Sequence, residues 1–441
     1  MTDRDADRLY PNRSAGADGD GDAQQAASAA GVSRRGLLAG SATAGAALTA
    51  GCSSGTSDDG SGTTTESDGQ GASGEPTVFV FNTGDATVSL IDPATDEVVD
   101  TQHVGLSSSF PSNQYTPNRT TDPEDPLWLN VNRGVRAITA GSLSEVAHVE
   151  TGSGSNWQEL TPDGDSVVVS AREPSHTNYR IDADRESDTF GEITGELDRT
   201  DEGGRGGNDG PGPCDVTIHP DGGYAYVPDL FGDTLTVIDV EAFDIETQVE
   251  VPPVEDGDAS APWMGTIAPS GDRLILEHQP GTESIWDTSE PADPTLLAQL
   301  TPDDGLGKGA LTSEVGPESR IGYVFTPGTD DVSVVDIRDE SVAGRIDLGG
   351  SAFAGTWGPD HEKLYVPVQT NDEVAVIDHE SREVVERLSV GSAPYGATAA
   401  RVRPASDEGA SLVAAMAALG LTLEDADTTY CIGNCACGHE L

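Results

Sequence analysis

Four stretches of 28 residues repeat one pattern along the chain, and this repeat decides the fold. They read VFVFNTGDATVSLIDPATDEVVDTQHVG (78–105), AYVPDLFGDTLTVIDVEAFDIETQVEVP (225–252), GYVFTPGTDDVSVVDIRDESVAGRIDLG (322–349) and LYVPVQTNDEVAVIDHESREVVERLSVG (364–391). Each contains a β-branched strand, a polar turn, a second strand ending in an apolar residue and an aspartate, and a third strand. Alternating apolar residues with turns every ~8–12 positions are typical of antiparallel sheets.

A further strand precedes most of these units and ends in a turn that contains proline and glycine, as in CDVTIHPDGG (214–223) and WMGTIAPSGD (263–272). Proline fixes φ and glycine accepts a positive φ, so both residues favour tight turns. The apolar-aspartate mark degenerates to Ile138-Thr139 in one copy. The other copies of the mark end at Asp92, Asp182, Asp239, Asp287, Asp336 and Asp378. A recurrence every ~40–60 residues indicates four-stranded propeller blades, and seven are predicted.

The order of the strands predicts how the ring closes. The first copy lacks its preceding strand, and a spare strand, SAPYGATAARV (392–402), follows the last copy. When the carboxyl-terminal strand completes the blade begun at the other end, no sheet edge remains open. We therefore predict an all-β fold, a seven-bladed β-propeller over residues 77–403. Two acidic segments, 113–126 and 183–213, are predicted to be rim loops.

Three of these stretches also carry a family resemblance. YVPDLFGDTLTVID (226–239), YVFTPGTDDVSVVD (323–336) and YVPVQTNDEVAVID (365–378) resemble the YVTN-type β-propeller repeat, and the resemblance extends over residues 77–402. Similar propellers occur in archaeal surface-layer proteins, in the haem d1 domain of nitrite reductase, in the amino-terminal domain of nitrous oxide reductase and in lactonases. The resemblance is specific for the fold and leaves the activity open.

The charge of the chain points to a salt-rich environment. The net charge of −54 comes from 77 acidic and 23 basic residues, and only Lys308 and Lys363 are lysines. Such a surface repels itself at low salt, whereas at molar salt the Debye length falls to about 3 Å and the repulsion is screened. We therefore expect a protein from a halophilic archaeon. Nucleic acid is not expected as a partner, because phosphate binding needs basic patches.

Residues 1–51 are predicted to be an export signal. The stretch SRRGLLAGSATAGAALTAGC (33–52) places Arg34 and Arg35 before a short apolar run and then Cys52. This order resembles a twin-arginine signal that ends in a lipoprotein cleavage site. The apolar run is too short for a membrane-spanning helix. Cys52 is therefore the predicted lipid attachment site.

The residues after the signal are predicted to tether the propeller to a membrane. Residues 52–76 are rich in Gly, Ser, Thr and Asp and contain no apolar run that would nucleate a core. Asn118, in Asn-Arg-Thr, is a candidate glycosylation site of an exported loop. We expect the protein to be exported and held on the outer face of the cell membrane through its lipid anchor.

Residues 404–441 are predicted to form a short helix and a cysteine-rich tail. PASDEGASLVAAMAALG (404–420) has capping residues at its start, an apolar stripe and a final glycine. The chain ends in CIGNCACGHEL (431–441), where thiols and an imidazole crowd together. The candidate metal ligands are Cys431, Cys435, Cys437 and His439. Such soft donors suit copper or zinc.

The tail also resembles a known copper site in part. The spacing C-x3-C-x3-H is similar to the ligand loop of the binuclear copper site in cytochrome oxidase subunit II and nitrous oxide reductase. The methionine and the upstream histidine of that loop have no counterpart here. A disulfide from Cys431 to Cys435 or Cys437 is an alternative, and exposed redox-exchange thiols are a third. Cys214 is expected to be a lone buried thiol or the distant partner of such a disulfide.

Three histidines of the repeats are weighed as site residues. His219 lies in TIHPDGG and is expected to be a turn residue. His176 and His278 follow strands of consecutive blades, so loops at one channel mouth are predicted to bring them together. In a haem d1-type interpretation they would be axial ligands, although no CxxCH attachment sequence occurs. A lactonase-like site would instead use carboxylates in the channel.

The leading interpretation is a lipid-anchored cell-surface propeller that binds a protein or small-molecule ligand at its face and carries a metal- or redox-active tail. One alternative is an extracytoplasmic oxidoreductase or electron-transfer protein, linked to copper or haem and of the nitrogen-oxide respiration type. The other is a lactonase-like hydrolase with its site in the channel. Whether the protein is an enzyme is left open by the sequence.

Overall fold

The computed structural model describes residues 74–104 and 119–405, except residues 132, 154 and 256 and the side chain of residue 156. In this part of the chain, antiparallel strands form six sheets of four strands and one sheet of three. No helix among the described residues is long and apolar enough to cross a membrane.

The strands are short and of similar length. Their bounds are β1 (Thr77–Asn82), β2 (Thr87–Asp92), β3 (Glu97–His103), β4 (Pro126–Val131), β5 (Gly134–Thr139), β6 (Glu145–Glu150), β7 (Ser155–Leu160), β8 (Ser166–Ala171), β9 (Thr177–Asp182), β10 (Ile193–Asp198), β11 (Thr217–Ile218), β12 (Tyr224–Asp229), β13 (Thr234–Asp239), β14 (Asp244–Glu250), β15 (Pro262–Ile267), β16 (Arg273–His278), β17 (Thr282–Asp287), β18 (Thr295–Leu300), β19 (Thr312–Val315), β20 (Ile321–Thr326), β21 (Asp331–Asp336), β22 (Ser341–Asp347), β23 (Thr356–Trp357), β24 (Lys363–Val368), β25 (Glu373–Asp378), β26 (Glu383–Ser389) and β27 (Pro394–Ala400). Single 3-10 turns lie at Thr200–Glu202, Arg205–Gly207, Pro302–Asp304, Pro327–Thr329 and Gln369–Asn371.

Each sheet is one blade of a seven-bladed β-propeller, as the repeat predicted. Blade 1 has the order β27-β1-β2-β3, blade 2 is β4-β5-β6, and blade 3 is β7 to β10. Blades 4 to 7 are β11 to β14, β15 to β18, β19 to β22 and β23 to β26. The described part of blade 2 has three strands. Residues 105–118, between β3 and β4, lie outside the described residues.

The predicted closure of the ring is confirmed. β27 pairs antiparallel with β1, and Ala399 faces Val78 in this ladder. Blade 7 also contacts blade 1 at Asp96. The hydroxyl of Tyr365 donates to Asp96 Oδ1 at 2.7 Å, and Lys363 Nζ lies 2.5 Å from Asp96 Oδ2. The two ends of the propeller therefore share one sheet, which leaves no open edge at the seam.

The aspartate mark of the repeat has a local structural cause. Each marked aspartate ends the third strand of a blade, and its side chain accepts a hydrogen bond from a backbone N–H two or three residues later. This arrangement mimics a turn and stops the strand. The six cases are Asp92, Asp182, Asp239, Asp287, Asp336 and Asp378.

The prediction that residues 183–213 form a rim loop is partly wrong. Residues Ile193–Asp198 are β10, the outer strand of blade 3, which pairs with β9. Residues 199–213 are tied to blade 4, because Arg199 donates two hydrogen bonds to Asp229, at 2.8 and 2.9 Å. Strand pairing with β9 outweighs the turn-forming tendency of the glycines.

Candidate functional site in the central channel

The innermost strand of each blade lines the channel. In the six blades for which this strand is described, the same position of the strand carries a polar side chain. This residue pairs with the third residue of the next strand outward. We call the set the channel belt. Its members, in ring order from blade 1 and then from blade 3, are Thr398, Glu159, Thr217, Thr266, Glu314 and Thr356.

Some inner-strand side chains satisfy backbone groups of the next blade. An innermost strand has no strand partner on its channel side, so its backbone groups need other partners. Glu159 Oε2 accepts from the N–H of Ile218 at 3.2 Å, and Asp215 Oδ2 accepts from the N–H of Gly265 at 2.6 Å. Threonine hydroxyls make similar bonds to carbonyls between the later blades. Glu159 and Asp215 therefore join neighbouring blades.

An apolar cluster fills one end of the channel. It combines residues near the starts of six inner strands, namely Trp157, Cys214, Trp263, Leu311, Phe353 and Tyr395. Phe353 and Tyr395 stack with their ring centroids 5.0 Å apart. Trp157 is partly buried and the other five are buried. This apolar plug separates the channel belt from solvent at that end.

Five carboxyl groups act on one another beside the plug and the belt. This channel acid cluster consists of Glu159, Asp215, Glu277, Glu283 and Glu314. Burial raises the pKa of every member, and acidic neighbours raise it further for Glu159, Glu277 and Glu283. The pKa of Asp215 rises to about 8, although the N–H groups of Gly265 and Val216 oppose the rise. Within the described residues, no three Asp, Glu, His or Cys side chains are placed to hold a metal ion together.

Glu314 differs from the rest of the channel acid cluster. It is partly exposed, whereas the other four members are buried. No hydrogen bond from a described residue reaches its carboxyl group, and burial alone raises its pKa to about 8. Glu314 is thus in partial contact with solvent while protein atoms surround its carboxyl group, as expected in a narrow channel. A group that titrates near neutral pH beside solvent is suited to give or take a proton at a bound ligand.

His278, one of the two predicted channel-mouth residues, has both ring nitrogens engaged. Its Nδ1 lies 3.0 Å from the carbonyl of Ser260 and therefore donates to it. Its Nε2 accepts from Ser284 Oγ at 2.7 Å, and Ser284 in turn accepts from Trp286 Nε1 at 2.8 Å. Burial lowers the pKa of His278 to about 4. A neutral histidine held in this way has no nitrogen free to bind haem iron.

The same two positions carry a hydrogen-bonded pair in other blades. Ser284 is the third residue of β17, and His278 is the last residue of β16. In blades 1, 4 and 6 the third residue of the third strand likewise hydrogen-bonds to the last residue of the second strand. The equivalent pairs are Asn82–Ser89, Asp229–Thr236 and Thr326–Ser333. The His278–Ser284 pair is therefore one version of a structural device that recurs around the ring.

His176, the other predicted channel-mouth residue, lies between β8 and β9 and is buried. Its ring packs edge-on against Phe231, with the centroids 6.4 Å apart, and burial lowers its pKa. Its Nδ1 has no hydrogen-bond partner among the described residues. His176 belongs to blade 3 and His278 to blade 5, so blade 4 separates the two blades, which the sequence had suggested were consecutive.

One smaller prediction is confirmed. His219 lies in the turn between β11 and β12, where its Nε2 is 3.1 Å from the carbonyl of Gly271 in the next blade. Cys214 is buried, and its Sγ accepts from Arg172 Nη1 at 3.7 Å, while its choice between a lone thiol and a disulfide with the tail stays a prediction. The other predicted site residues lie outside the described residues: Arg34, Arg35, Cys52, Asn118, Cys431, Cys435, Cys437 and His439. Export, lipid attachment, glycosylation and metal binding by the tail stay predictions.

The chain matches no family model and no curated protein. Solved propellers resemble it in fold. The periplasmic gluconolactonase of Pseudomonas aeruginosa is 16% identical with a TM-score of 0.58, over 74% of this chain and 98% of that one. A candidate 6-phosphogluconolactonase from Bacteroides uniformis is 12% identical with a TM-score of 0.58, over 74% and 100%. Hydrazine synthase of Kuenenia stuttgartiensis is 15% identical with a TM-score of 0.53, over 68% and 92%. At these identities the likeness shows the fold alone.

Sequence reasoning missed the channel acid cluster, because carboxylates are abundant throughout the chain. One signal for part of it was nevertheless present. Within the alternating pattern, LILEHQPGTESIWD (274–287) places Glu277 and Glu283 where GYVFTPGTDDVSVVD (322–336), with one more residue in its turn, has Phe325 and Val332. Acidic residues at positions that are apolar in the other repeats depart from the repeat pattern. Comparing the blades position by position would have identified Glu277 and Glu283.

Proposed function

We propose that the protein is a lactone hydrolase whose reaction takes place in the propeller channel, with Glu314 as the general base. The observation that carries this proposal is the state of Glu314. It is a partly exposed carboxyl group on an inner strand, without a hydrogen-bond partner among the described residues and with its pKa raised to about 8. A propeller that served only as a rigid scaffold would gain nothing from holding a carboxyl group in this state. The fold likeness to gluconolactonase adds support.

The chemistry requires one proton to move twice. Ionised Glu314 takes a proton from a water molecule as the water oxygen attacks the lactone carbonyl carbon. The tetrahedral intermediate then collapses, the ring C–O bond breaks, and protonated Glu314 returns the proton to the departing alkoxide oxygen. The product is the open hydroxy acid. Neighbouring carboxyl groups that stay protonated can donate hydrogen bonds to the developing oxyanion.

The charge of the channel indicates which lactones fit. The channel acid cluster holds five carboxyl groups, and no basic group is among the main influences on the pKa values of these five described residues. A phosphorylated lactone would meet repulsion from any ionised member, whereas an uncharged sugar lactone would not. We therefore expect uncharged lactones to be substrates and 6-phosphogluconolactone to be a poor one.

The test is lactone hydrolysis in molar KCl, followed by titration of the acid released and corrected for spontaneous hydrolysis. Wild-type protein should hydrolyse glucono-δ-lactone, with kcat/KM rising as the pH approaches about 8, because Glu314 must be ionised. The E314Q variant should lose about 100- to 10,000-fold in rate, the usual contribution of a general base. E97Q, which changes an exposed carboxylate of β3, is the matched control and should keep full activity.

Two results would overturn this proposal. One is wild-type protein that hydrolyses neither glucono-δ-lactone nor other uncharged γ- and δ-lactones faster than buffer does. The other is an E314Q variant with unchanged activity. If the hydrolysis rate fell in E97Q and not in E314Q, the rate would depend on the overall surface charge rather than on the channel, which would also overturn the proposal.

A second candidate function is ligand binding at the cell surface by a lipid-anchored, salt-adapted propeller. A cavity of about 420 Å³ supports it, since this cavity lies beside His278, outside the channel belt, between acidic and proline-rich loops. Its lining includes Val254, Asp258, Pro280 and Pro302. In this proposal the copper- or zinc-binding tail adds a redox or metal element. Elemental analysis of the native protein, compared with a C431S/C435S variant, tests the tail, because equal metal content in both would exclude it.

A further inference from the structure

Glu277 and Glu283 form a carboxyl pair that no described residue satisfies with a hydrogen bond. They face each other directly across β16 and β17, so their side chains share one face of blade 5. Both are fully buried, and none of their four carboxyl oxygens has a hydrogen-bond partner among the described residues. Two adjacent buried carboxylates are strongly unfavourable unless something neutralises them.

The pair departs from the pattern of the other blades. At the same register most blades carry apolar residues, which pack without any need for a partner. The equivalent pairs are Phe81–Val88, Pro228–Leu235, Phe325–Val332 and Pro367–Val374. In blade 3 the position is polar, but Ser170 and Asn178 bond to each other at 2.9 Å. Among the described blades, blade 5 alone places two acids there, so the fold itself does not require them.

A hydroxyl group from the next blade reaches toward the same point. Ser313 of β19 is buried, and its Oγ has no hydrogen-bond partner among the described residues. It lies close enough to Glu277 to lower that pKa, yet outside hydrogen-bonding geometry. The face that carries Glu277 and Glu283 also carries Ile275 and Ile285, which belong to an apolar cluster shared with blade 6. Ser313 thus lies beside Glu277, which faces Glu283 across the strand pair, and all three side chains are buried.

We propose that Glu277, Glu283 and Ser313 bind one Ca²⁺ ion between blades 5 and 6. Two carboxylates balance the charge of a divalent cation, and the three side chains offer five oxygen donors. Calcium accepts oxygen ligands in flexible geometry at about 2.3–2.6 Å, and backbone carbonyls or a water molecule can complete its shell of 6–8. Magnesium keeps several waters, for which an apolar interface has little room, and zinc prefers nitrogen and sulfur donors. The ion would fasten two blades together, and Glu314, the proposed general base, is not among its ligands.

The experiment measures calcium in protein purified without a tag in molar KCl. After incubation with CaCl₂ and gel filtration, elemental analysis should find one tightly held Ca²⁺ per wild-type chain, and chelation should lower the Tm. Terbium bound in its place should show the long luminescence lifetime of an ion with few bound waters. In the E277Q/E283Q variant, which keeps side-chain shape and removes both charges, the tightly held ion and the calcium dependence of Tm should both disappear.

The control is E383Q/E386Q, which removes two exposed carboxylates from β26 and should keep the calcium ion. The proposal is overturned if wild-type protein holds no calcium and shows the infrared band of a protonated carboxyl group that E277Q/E283Q lacks. Equal calcium binding by wild type and E277Q/E283Q would also overturn it. Should that variant not fold, the terbium lifetime and the elemental analysis of wild-type protein still decide, because a neutral carboxyl pair binds neither ion.

Discussion

Blades 5 and 6 are neighbours with the same strand register, yet they treat one interior position in opposite ways. Blade 6 fills it with Phe325 and Val332, which pack against apolar neighbours, whereas blade 5 fills it with Glu277 and Glu283. The first choice contributes hydrophobic stabilisation, and the second loses it and adds a charge to be neutralised. The strand pairing at this position is the same in both blades. The two glutamates of blade 5 are therefore not required by the fold, and their presence has another cause.

The largest expected effect comes from copying blade 5 into blade 6. The F325E/V332E variant should lose at least about 4 kcal/mol of unfolding free energy, because two buried carboxyl groups would replace well-packed apolar side chains. Urea unfolding in molar KCl measures this loss, and F325L/V332I is an apolar control that should lose less than about 1.5 kcal/mol. A F325E/V332E protein as stable as wild type would mean that the propeller tolerates such pairs without a ligand.

The next effect is a dependence of stability on pH. Asp215 and Glu314 have pKa values raised to about 8, so the folded protein binds more protons than the unfolded chain between the ordinary carboxyl pKa and that value. Their stabilising contribution is complete at low pH and is lost as the pH rises through about 8. His278, with its pKa lowered to about 4, acts in the opposite direction below its ordinary value of 6.5.

From pH 6.5 to 8 His278 no longer contributes, and the slope comes from carboxyl groups with raised pKa values, Asp215 and Glu314 among them. Asp215 and Glu314 alone should lower the unfolding free energy there by about 3 kcal/mol, because each proton held by the folded state contributes up to about 1.36 kcal/mol per pH unit. Urea titrations in molar KCl at several pH values measure the slope, which should be shallower in E314Q and unchanged in E97Q. A flat profile in wild-type protein would show that neither acid is protonated in the folded state.

The smallest expected effect concerns the hydrogen-bonded pair that the two blades share. S284A removes the partner of both His278 and Trp286. S333A in blade 6 removes the partner of Gly307 N–H and of Thr326, but Thr326 keeps its bond to the carbonyl of Asp331. Leaving a buried polar group unsatisfied costs about 1–3 kcal/mol, so S284A should destabilise the protein more than S333A. Thermal unfolding of both variants side by side measures the difference, and equal Tm values would contradict the assigned role of Ser284.

Sequence reasoning recovered the ring but not its interior. The strand alternation, the aspartate mark and the spare final strand are local signals, because turns and strand edges depend on neighbouring residues. Residues Ile193–Asp198 escaped because strand pairing with β9 outweighed glycine-rich surroundings. The separation of His176 from His278 by blade 4 also escaped, because the blade count between two loops needs the complete register.

The sequence by itself determined the class of this protein. Repeats of polar turns and alternating strands, together with a final strand that fits the first blade, specify a closed seven-bladed propeller with a strongly acidic surface. Only the tertiary structure decided which of its 77 acidic residues matter. A carboxyl group acquires a shifted pKa, an unsatisfied oxygen or a neighbouring hydroxyl from residues far away in the chain, so Glu277, Glu283, Ser313 and Glu314 become distinctive once adjacent blades are packed against each other.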